Sequence, residues 1–504
     1  MQSILCNYVF YYGGVMKKLF MQFSLLLVIV SFLLCSVSCV KETKKTDGAG
    51  DVKDEVEFDL PKNLAYEGQT FTVLTFKEEY SDTISEITAD ASDESRVSKA
   101  ITERNETIKE WFGVEIEEVA AVGNEEFTKT AHDSILAGSG KYDLLIGTDF
   151  ETVSNWAFYP DIYSNVYDLP YIGENTDKPW FYNDFAEEIS INDRLYLLCG
   201  DLNLSSINHT LGVYFNKSIV KENKLGDLYG LVRNGEWTID RTIEMTKSVS
   251  DNIDSNDTEF YGYLLDIFVS SADTLVNTQF DLNYFETDEN GLPSIACDRD
   301  KIVSALEKVL PFIINNTYYE GTSDYIESPC PNMFKDKKAL FLVTTLEYAD
   351  DLRSSGSEFG ILPPPKWDED QSDYYSHAEH GYTLSAVPLD IKDPDMVGTV
   401  LTALYQYSHE KLLPAFIDDA VTNASGKTDT DSAEMLGIIR NGARFGFEQL
   451  YYHETQITDI PTLLIGNMFE DDIGTHFDSY YEALVKGDER FVNNFVKAYE
   501  NQQS

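Results

Sequence analysis

Two periods of apolar residues organise this chain. Thr70-Phe71-Thr72-Val73-Leu74-Thr75-Phe76 interleaves apolar residues with threonine and reads as a strand. From Ser95 to Phe112 the period changes to that of a helix, with Val97, Ala100, Ile101, Ile108, Trp111 and Phe112 largely on one face and Gly113 as its stop. Val114 to Val119 alternates as a strand, and Phe127 to Ala137 is a second helix ended by Gly138-Ser139-Gly140. Tyr142 to Gly147 is a short buried strand. The order β-α-β-α-β predicts a parallel sheet covered by helices, in which ligands bind beyond the carboxyl ends of the strands. Those ends are Lys77-Glu78-Glu79-Tyr80 and Thr148-Asp149-Phe150.

A second unit begins near Asn208. Leu211 to Phe215 reads as a strand, Ile219 to Asn223 opens a helix, and Thr238 is placed to cap another helix with Arg241 at its third position. Asp288-Glu289-Asn290-Gly291 reads as a hairpin turn. Ala339–Val343 and Phe359–Leu362 are further strands. Asp393 to Ser408 is a helix that turns Val397, Val400, Leu401 and Leu404 inward, and the last helices fall near Ala433–Arg440 and Phe469–Tyr499. The class is α/β.

The amino-terminal pattern differs. Residues 1–15 carry no charge, and Met16-Lys17-Lys18 is the better start of a secretory signal, with an apolar stretch from Leu19 to Leu34. Gln22, Ser24 and Ser31 interrupt that stretch, which is short beside the roughly 20 apolar residues of a spanning helix. The run Leu33-Leu34-Cys35-Ser36-Val37-Ser38-Cys39 looks like the lipobox of a bacterial lipoprotein, although Ser36 stands where Leu, Val or Ile is usual. Cys39 is therefore expected to carry lipid and to follow a signal peptide spanning 1–38. Residues 39–57 hold Lys41-Glu42-Thr43-Lys44-Lys45-Thr46-Asp47-Gly48 and no apolar period, the composition of a flexible stalk.

Charge narrows the partners. The 504 residues carry 38 Lys and Arg against 87 Asp and Glu, a net charge of −49. Such a surface repels phosphate backbones, so nucleic acid is not an expected partner. With 43% hydrophobic and 13% aromatic residues, the composition is nonetheless that of a folded protein. Beyond Cys39 the cysteines are Cys199, Cys297 and Cys330, whose spacing matches no metal site. At most one disulfide could form among them, and buried inert thiols are the expectation.

Ile101 to Val114, Gly140 to Leu144, Val213 to Lys217, Gly235 to Asp240, Phe334 to Phe341 and Gly360 to Lys366, taken in order, resemble the bacterial extracellular solute-binding proteins of family 1, the sugar-binding lipoproteins of ABC importers. Ile101-Thr102-Glu103-Arg104-Asn105 through Trp111-Phe112-Gly113-Val114 is similar to the helix-to-strand passage of that family, and Gly140-Lys141-Tyr142-Asp143-Leu144 to its next strand. Val213-Tyr214-Phe215-Asn216-Lys217 resembles the strand after the first crossover and is the most specific of these matches. Gly235-Glu236-Trp237-Thr238-Ile239-Asp240 is similar to a helix start, with Gly-Glu in place of the usual opening. Phe334 to Phe341 and Gly360 to Lys366 complete the series, with Asp336-Lys337 where the family has glycine. The resemblance spans residues 70 to about 450. It implies a two-lobed periplasmic-binding-protein-like fold of type II, each lobe a mostly parallel sheet flanked by helices, with a hinge crossed more than once. Carried over, one lobe comprises 58–205 with 385–445 and the other 206–384 with 446–504. It further implies capture of a carbohydrate, expected to be an oligosaccharide, for the permease subunits of an ABC importer, by a monomer held outside the cell membrane through Cys39.

Sugar recognition needs aromatic faces against the apolar side of the ring, and planar polar groups that satisfy several hydroxyls. Asp149, Asn155, Trp156 and Tyr159 offer that mixture just past a parallel strand, although Trp156 and Tyr159 also suit the inner face of a helix. Asn208 and His209 lie at the first expected crossover, Thr345 and Glu347 follow a strand of the second unit, and Glu379 and Tyr382 enter the returning crossover. Arg444 is one of few arginines in an acidic chain and could equally belong to an ion pair. His377-Ala378-Glu379-His380 lacks the helical spacing of a zinc site and runs into Gly381, so no metal is expected and no cofactor is implied. A rival reading is a secreted carbohydrate-active enzyme using two carboxylates roughly 5–10 Å apart. No nucleophile elbow, metal triad or phosphate loop stands out in the chain, and the reading adopted is a receptor without catalysis.

Overall fold

The computed structural model describes residues 56–77, 85–90, 92–149, 162–183, 185–250, 260–265, 272–316, 329–422, 426–452, 454–467 and 471–500. Cys39 and the leader, Asn155, Trp156 and Tyr159 lie outside them.

Five strands form the first sheet: β1 (Thr70–Lys77), β2 (Glu115–Val122), β3 (Leu144–Thr148), β4 (Leu197–Leu198) and the late strand Thr383–Ala386. The second sheet takes β5 (Leu211–Asn216), β6 (Tyr261–Leu265), β9 (Ala339–Thr345) and β10 (Phe359–Leu362). Two short pairs complete the set, β7 (Phe285–Thr287) with β8 (Pro293–Ile295), and β11 (Ser376–His377) with β13 (Ala443–Arg444). The late strand of the first sheet is then β12. The orders are β2-β1-β3-β12-β4 and β10-β5-β9-β6.

Each sheet contains one reversed strand. β1 pairs in parallel with β2 and β3, and β12 runs against both β3 and β4. In the second sheet β6 and β9 are parallel, and β5 runs against β9 and β10. β5 and β12 are the strands by which the chain enters a sheet directly from the other one. A strand delivered by a helical crossover repeats the direction of its predecessor, whereas one arriving from the neighbouring lobe enters from the opposite end. Most strands in each sheet therefore point the same way, but pairing is mixed wherever the hinge is crossed.

Local chemistry explains the element limits. Ser95 caps the helix Arg96–Phe112 by accepting from the Ser98 amide at 3.1 Å, and Gly113 ends it at φ 71°. Thr238 accepts from Arg241 N at 3.3 Å at the start of Ile239–Ser250. Asp393 caps Pro394–Tyr407, whose Val397, Val400, Leu401 and Leu404 are buried. Trp237 is fully buried and donates to the Pro363 carbonyl at 2.9 Å, tying that helix start to the exit of β10. The helix Thr430–Asn441 packs on β10 of the second sheet, while Arg440 at its end reaches Asp201 beside the first. It thus joins the two sheets from within 385–445, a segment expected to belong wholly to the first lobe. Cys199, Cys297 and Cys330 are all free thiols. No helix among the described residues is long and apolar enough to cross a membrane.

Candidate ligand-binding site

The carboxyl ends of β1, β2 and β3 open into a cavity of about 740 Å³. Lys77 and Thr148, from the two strand ends singled out in the sequence, both line it. Its other walls are polar. Glu118 on β2 accepts from Thr75 Oγ1 at 2.7 Å, from Ser85 Oγ at 2.6 Å and from the Thr88 hydroxyl. Glu86 is buried and accepts from Ser205 N and Thr383 Oγ1, each at 2.7 Å. Ser205 belongs to the outgoing passage between sheets and Thr383 to the returning one, so a single carboxylate binds both to the first lobe. Burial pushes the Glu86 carboxyl above the ordinary range, against these hydrogen bonds and the nearby Arg104 charge.

Arg104 stands behind this wall. It is fully buried and donates through Nη2 to the carbonyls of Glu86 at 2.9 Å and Ile87 at 3.1 Å, and through Nη1 to Ser408 Oγ at 3.2 Å. Burial lowers its pKa to about 10, so it remains a cation at neutral pH.

Three segments meet beside the cavity. Glu347 N donates to the Asn208 carbonyl at 3.0 Å, Leu346 N to the Thr210 carbonyl at 3.0 Å, and Glu379 N to the His209 carbonyl at 2.8 Å. Asn208, His209, Thr345, Glu347, Glu379 and Tyr382 are thereby gathered at one junction. His209 lines the cavity and its Nδ1–H donates to the His380 carbonyl at 3.1 Å. Gly381 adopts φ +98°, and a Cβ there would lie 3.1 Å from His209 Cε1, so this crossing requires glycine. Thr345 is buried and donates through its hydroxyl to Glu347 Oε1 at 3.1 Å, while Glu347 itself is exposed.

Not every candidate faces the cavity. Asp149 is 3% exposed and receives His380 Nδ1 at 2.6 Å and Gly381 N at 2.8 Å, which fastens the end of β3 to the returning passage. The His380 ring stacks on Tyr452 with centroids 3.9 Å apart. Tyr382 is fully buried, edge-on to Phe445. Arg444 lies over the Tyr375 ring, 4.4 Å from its centroid, with Nη1 3.8 Å from Glu188 Oε1.

This arrangement has relatives among solved structures. The fold is that of the two-lobed periplasmic binding proteins. A cyclo/maltodextrin-binding protein complexed with maltotetraose matches with a TM-score of 0.51 and 13% identity, over 86% of this chain and 98% of that one. The cyclic alpha-maltosyl-1,6-maltose binding protein of Arthrobacter globiformis matches with a TM-score of 0.51 and 11% identity, over 84% and 99%. An ABC substrate-binding protein of Listeria monocytogenes in complex with cycloalternan matches with a TM-score of 0.50 and 13% identity, over 85% and 98%. No family model matches the chain, and no curated protein does.

Glu86, Glu118 and Arg104 are the residues that sequence reasoning missed. Glu118 is the fourth residue of β2, and the alternating pattern does not set it apart from Glu115 and Glu117. Glu86 and Arg104 carry no local signal, since each matters through partners more than 15 positions away.

Proposed function

We propose that this protein is an extracytoplasmic receptor that captures a carbohydrate and delivers it to an ABC-type importer. The observation that carries the reading is the hydroxyl- and carboxylate-lined cavity at the carboxyl ends of β1–β3, set directly against the passages between two lobes. Carboxylates and hydroxyls in that number satisfy the many donors of a sugar, and the fold offers a second lobe to close over it. The solved relatives that bind maltotetraose, cyclic maltosyl-maltose and cycloalternan support the choice of ligand class. The protein performs no chemistry in this reading. Cys39 carries the lipid that holds it at the outer face of the membrane, and the lobes divide near 205, 384 and 445.

Trp156 is proposed as the aromatic platform, with Asn155, Tyr159, Asn208, His209, Thr345, Glu347 and Glu379 as the polar and aromatic set around it, while Asp149, Tyr382 and Arg444 shape the junction beside the cavity. Calorimetric titration against linear and cyclic glucans, run beside a product assay, tests the function. Saturable heat without product supports the receptor. Steady turnover abolished by one carboxylate substitution would instead assign the chain to glycan hydrolysis. In a protein that binds a glycan, Trp156→Ala should weaken binding by about 1–3 kcal/mol without lowering the ligand-free melting temperature. A large drop in that temperature with affinity unchanged would place Trp156 in the core.

A further inference from the structure

The β7–β8 hairpin belongs to the second lobe, since it lies between the helices Ala272–Gln279 and Arg299–Asn316 and the latter packs on β6. Its turn nevertheless rests on the loop that leads into β4 of the first sheet. Asn192 N donates to the Asn290 carbonyl at 2.8 Å, and Asn192 Nδ2 reaches the carbonyl of Tyr499, near the end of the C-terminal helix, at 3.4 Å. Gly291 has φ +72°, and a Cβ on it would lie 1.8 Å from the Ser190 carbonyl oxygen. On the other side the chain turns through Asn192 at φ 51° and Asp193 at φ 58°, conformations that place backbone rather than side chain at the contact. Asp288 Oδ1 holds the tip in shape by accepting from Asn290 N at 2.8 Å and Leu292 N at 2.9 Å. Beside the contact lies an open groove of about 1140 Å³.

The position of this contact matters. β4 is the edge strand opposite β2, and the passages between lobes leave from β4 and return into β12. β4 points the same way as β1–β3, so the loop before it lies at the amino ends of the strands, whereas the ligand cavity lies at the carboxyl ends of β1–β3. The hairpin contact and the cavity therefore flank the pivot on opposite sides. Swinging the second lobe over the cavity draws the hairpin off its loop.

We propose that the hairpin tip Asp288–Leu292, docked through Gly291 on Ser190–Asn192, is a latch that opposes lobe closure and sets the affinity the ligand must supply to close the cleft. It rests on the receptor reading in supposing that the lobes close, and the decisive measurement is made without ligand. Gly291→Val, with Gly291→Ala as a second variant of smaller bulk, should force the tip away from Ser190. Amide exchange at Asn192 should then accelerate about tenfold or more, and the ligand-free radius of gyration should fall toward a closed form. Accelerated exchange with an unchanged scattering profile would overturn the latch, as would an Asn192 amide that already exchanges in the parent as fast as an exposed loop. An Asn192→Cys/Asn290→Cys pair gives a reversible second test. Oxidised, it should lose the compaction that a glucan such as maltotetraose induces in the parent, and reduction should restore it. Compaction of the oxidised pair equal to the parent's would also overturn the proposal. A parent that no glucan compacts counts against the carbohydrate reading alone, because the ligand-free measurement on the Gly291 variants still decides the latch.

Discussion

At the scale of single residues, the junction depends on buried polar groups whose partners lie far along the chain. Asp149 receives two donors from the returning passage while almost fully buried. Asp149→Ala should leave both donors enclosed and lower stability by about 1–3 kcal/mol in urea unfolding. A loss of ligand affinity with stability untouched would show that Asp149 serves the ligand directly. Glu448 presents a different case. Its residue keeps some surface in solvent, but its carboxyl is enclosed and accepts from the Tyr284 amide at 3.1 Å, at the base of the β7–β8 hairpin. Burial raises its pKa from 4.5 to about 7. The native state thus holds a proton that the unfolded chain has released, and the associated stability is present below pH 4.5 and lost as pH rises through 7. Burial of His377 acts with the opposite sign, lowering its pKa so that stability is lost as pH falls below 6.5. Glu448→Gln should gain on the parent progressively between pH 4.5 and 7, by an amount on the order of 3 kcal/mol, and level off above that range. Melting curves across this interval measure the difference, and an offset independent of pH would refute the assignment.

At the scale of elements, caps and crossovers do separate work. The Ser95 cap acts locally, and Ser95→Ala should cost about 0.5–2 kcal/mol in denaturant midpoint analysis. An unchanged midpoint would mean that Asp93, which also binds the Ser98 hydroxyl, replaces the lost acceptor. The outgoing passage is anchored by a buried ion cluster rather than by a cap. Arg440 Nε and Nη2 donate to Asp201, each at 3.0 Å, His409 Nδ1 joins at 2.7 Å, and Arg440 Nη2 also donates to the Phe181 carbonyl at 2.9 Å. Such a cluster fixes where the chain leaves the first sheet, because separating Arg440 from Asp201 would leave a charge buried without its partner. The passage is therefore held at its first-lobe end.

At the scale of the molecule, a net charge of −49 disfavours contact with anionic surfaces, and the proposed retention at a membrane therefore rests on the lipid proposed for Cys39. Cys39→Ser should release the protein from the membrane fraction into the medium. Retention equal to the parent's would show that the apolar leader holds the chain by itself. The same excess of acids is gathered at the cavity, where Glu86, Asp90, Asp93 and Glu118 face Lys77.

Element type was legible from periodicity, because a helix or strand that buries one face repeats its apolar residues every 3.6 or 2 positions. β1, β2 and β3, the helices between them, the Thr238 cap and the Asp288–Gly291 turn could all be read along the chain. So could the strand ends at which a cavity opens, since the carboxyl ends of parallel strands follow from the β-α-β order. What the sequence could not determine is which strands run backward, because that depends on where the chain crosses between sheets. Nor could it select Glu86 and Glu118 from 87 acids, or show that Tyr382 turns into the core and that Gly291 meets Ser190. These contacts join positions far apart in the chain. Their energies depend on distance and burial in three dimensions, and the tertiary structure alone decides both.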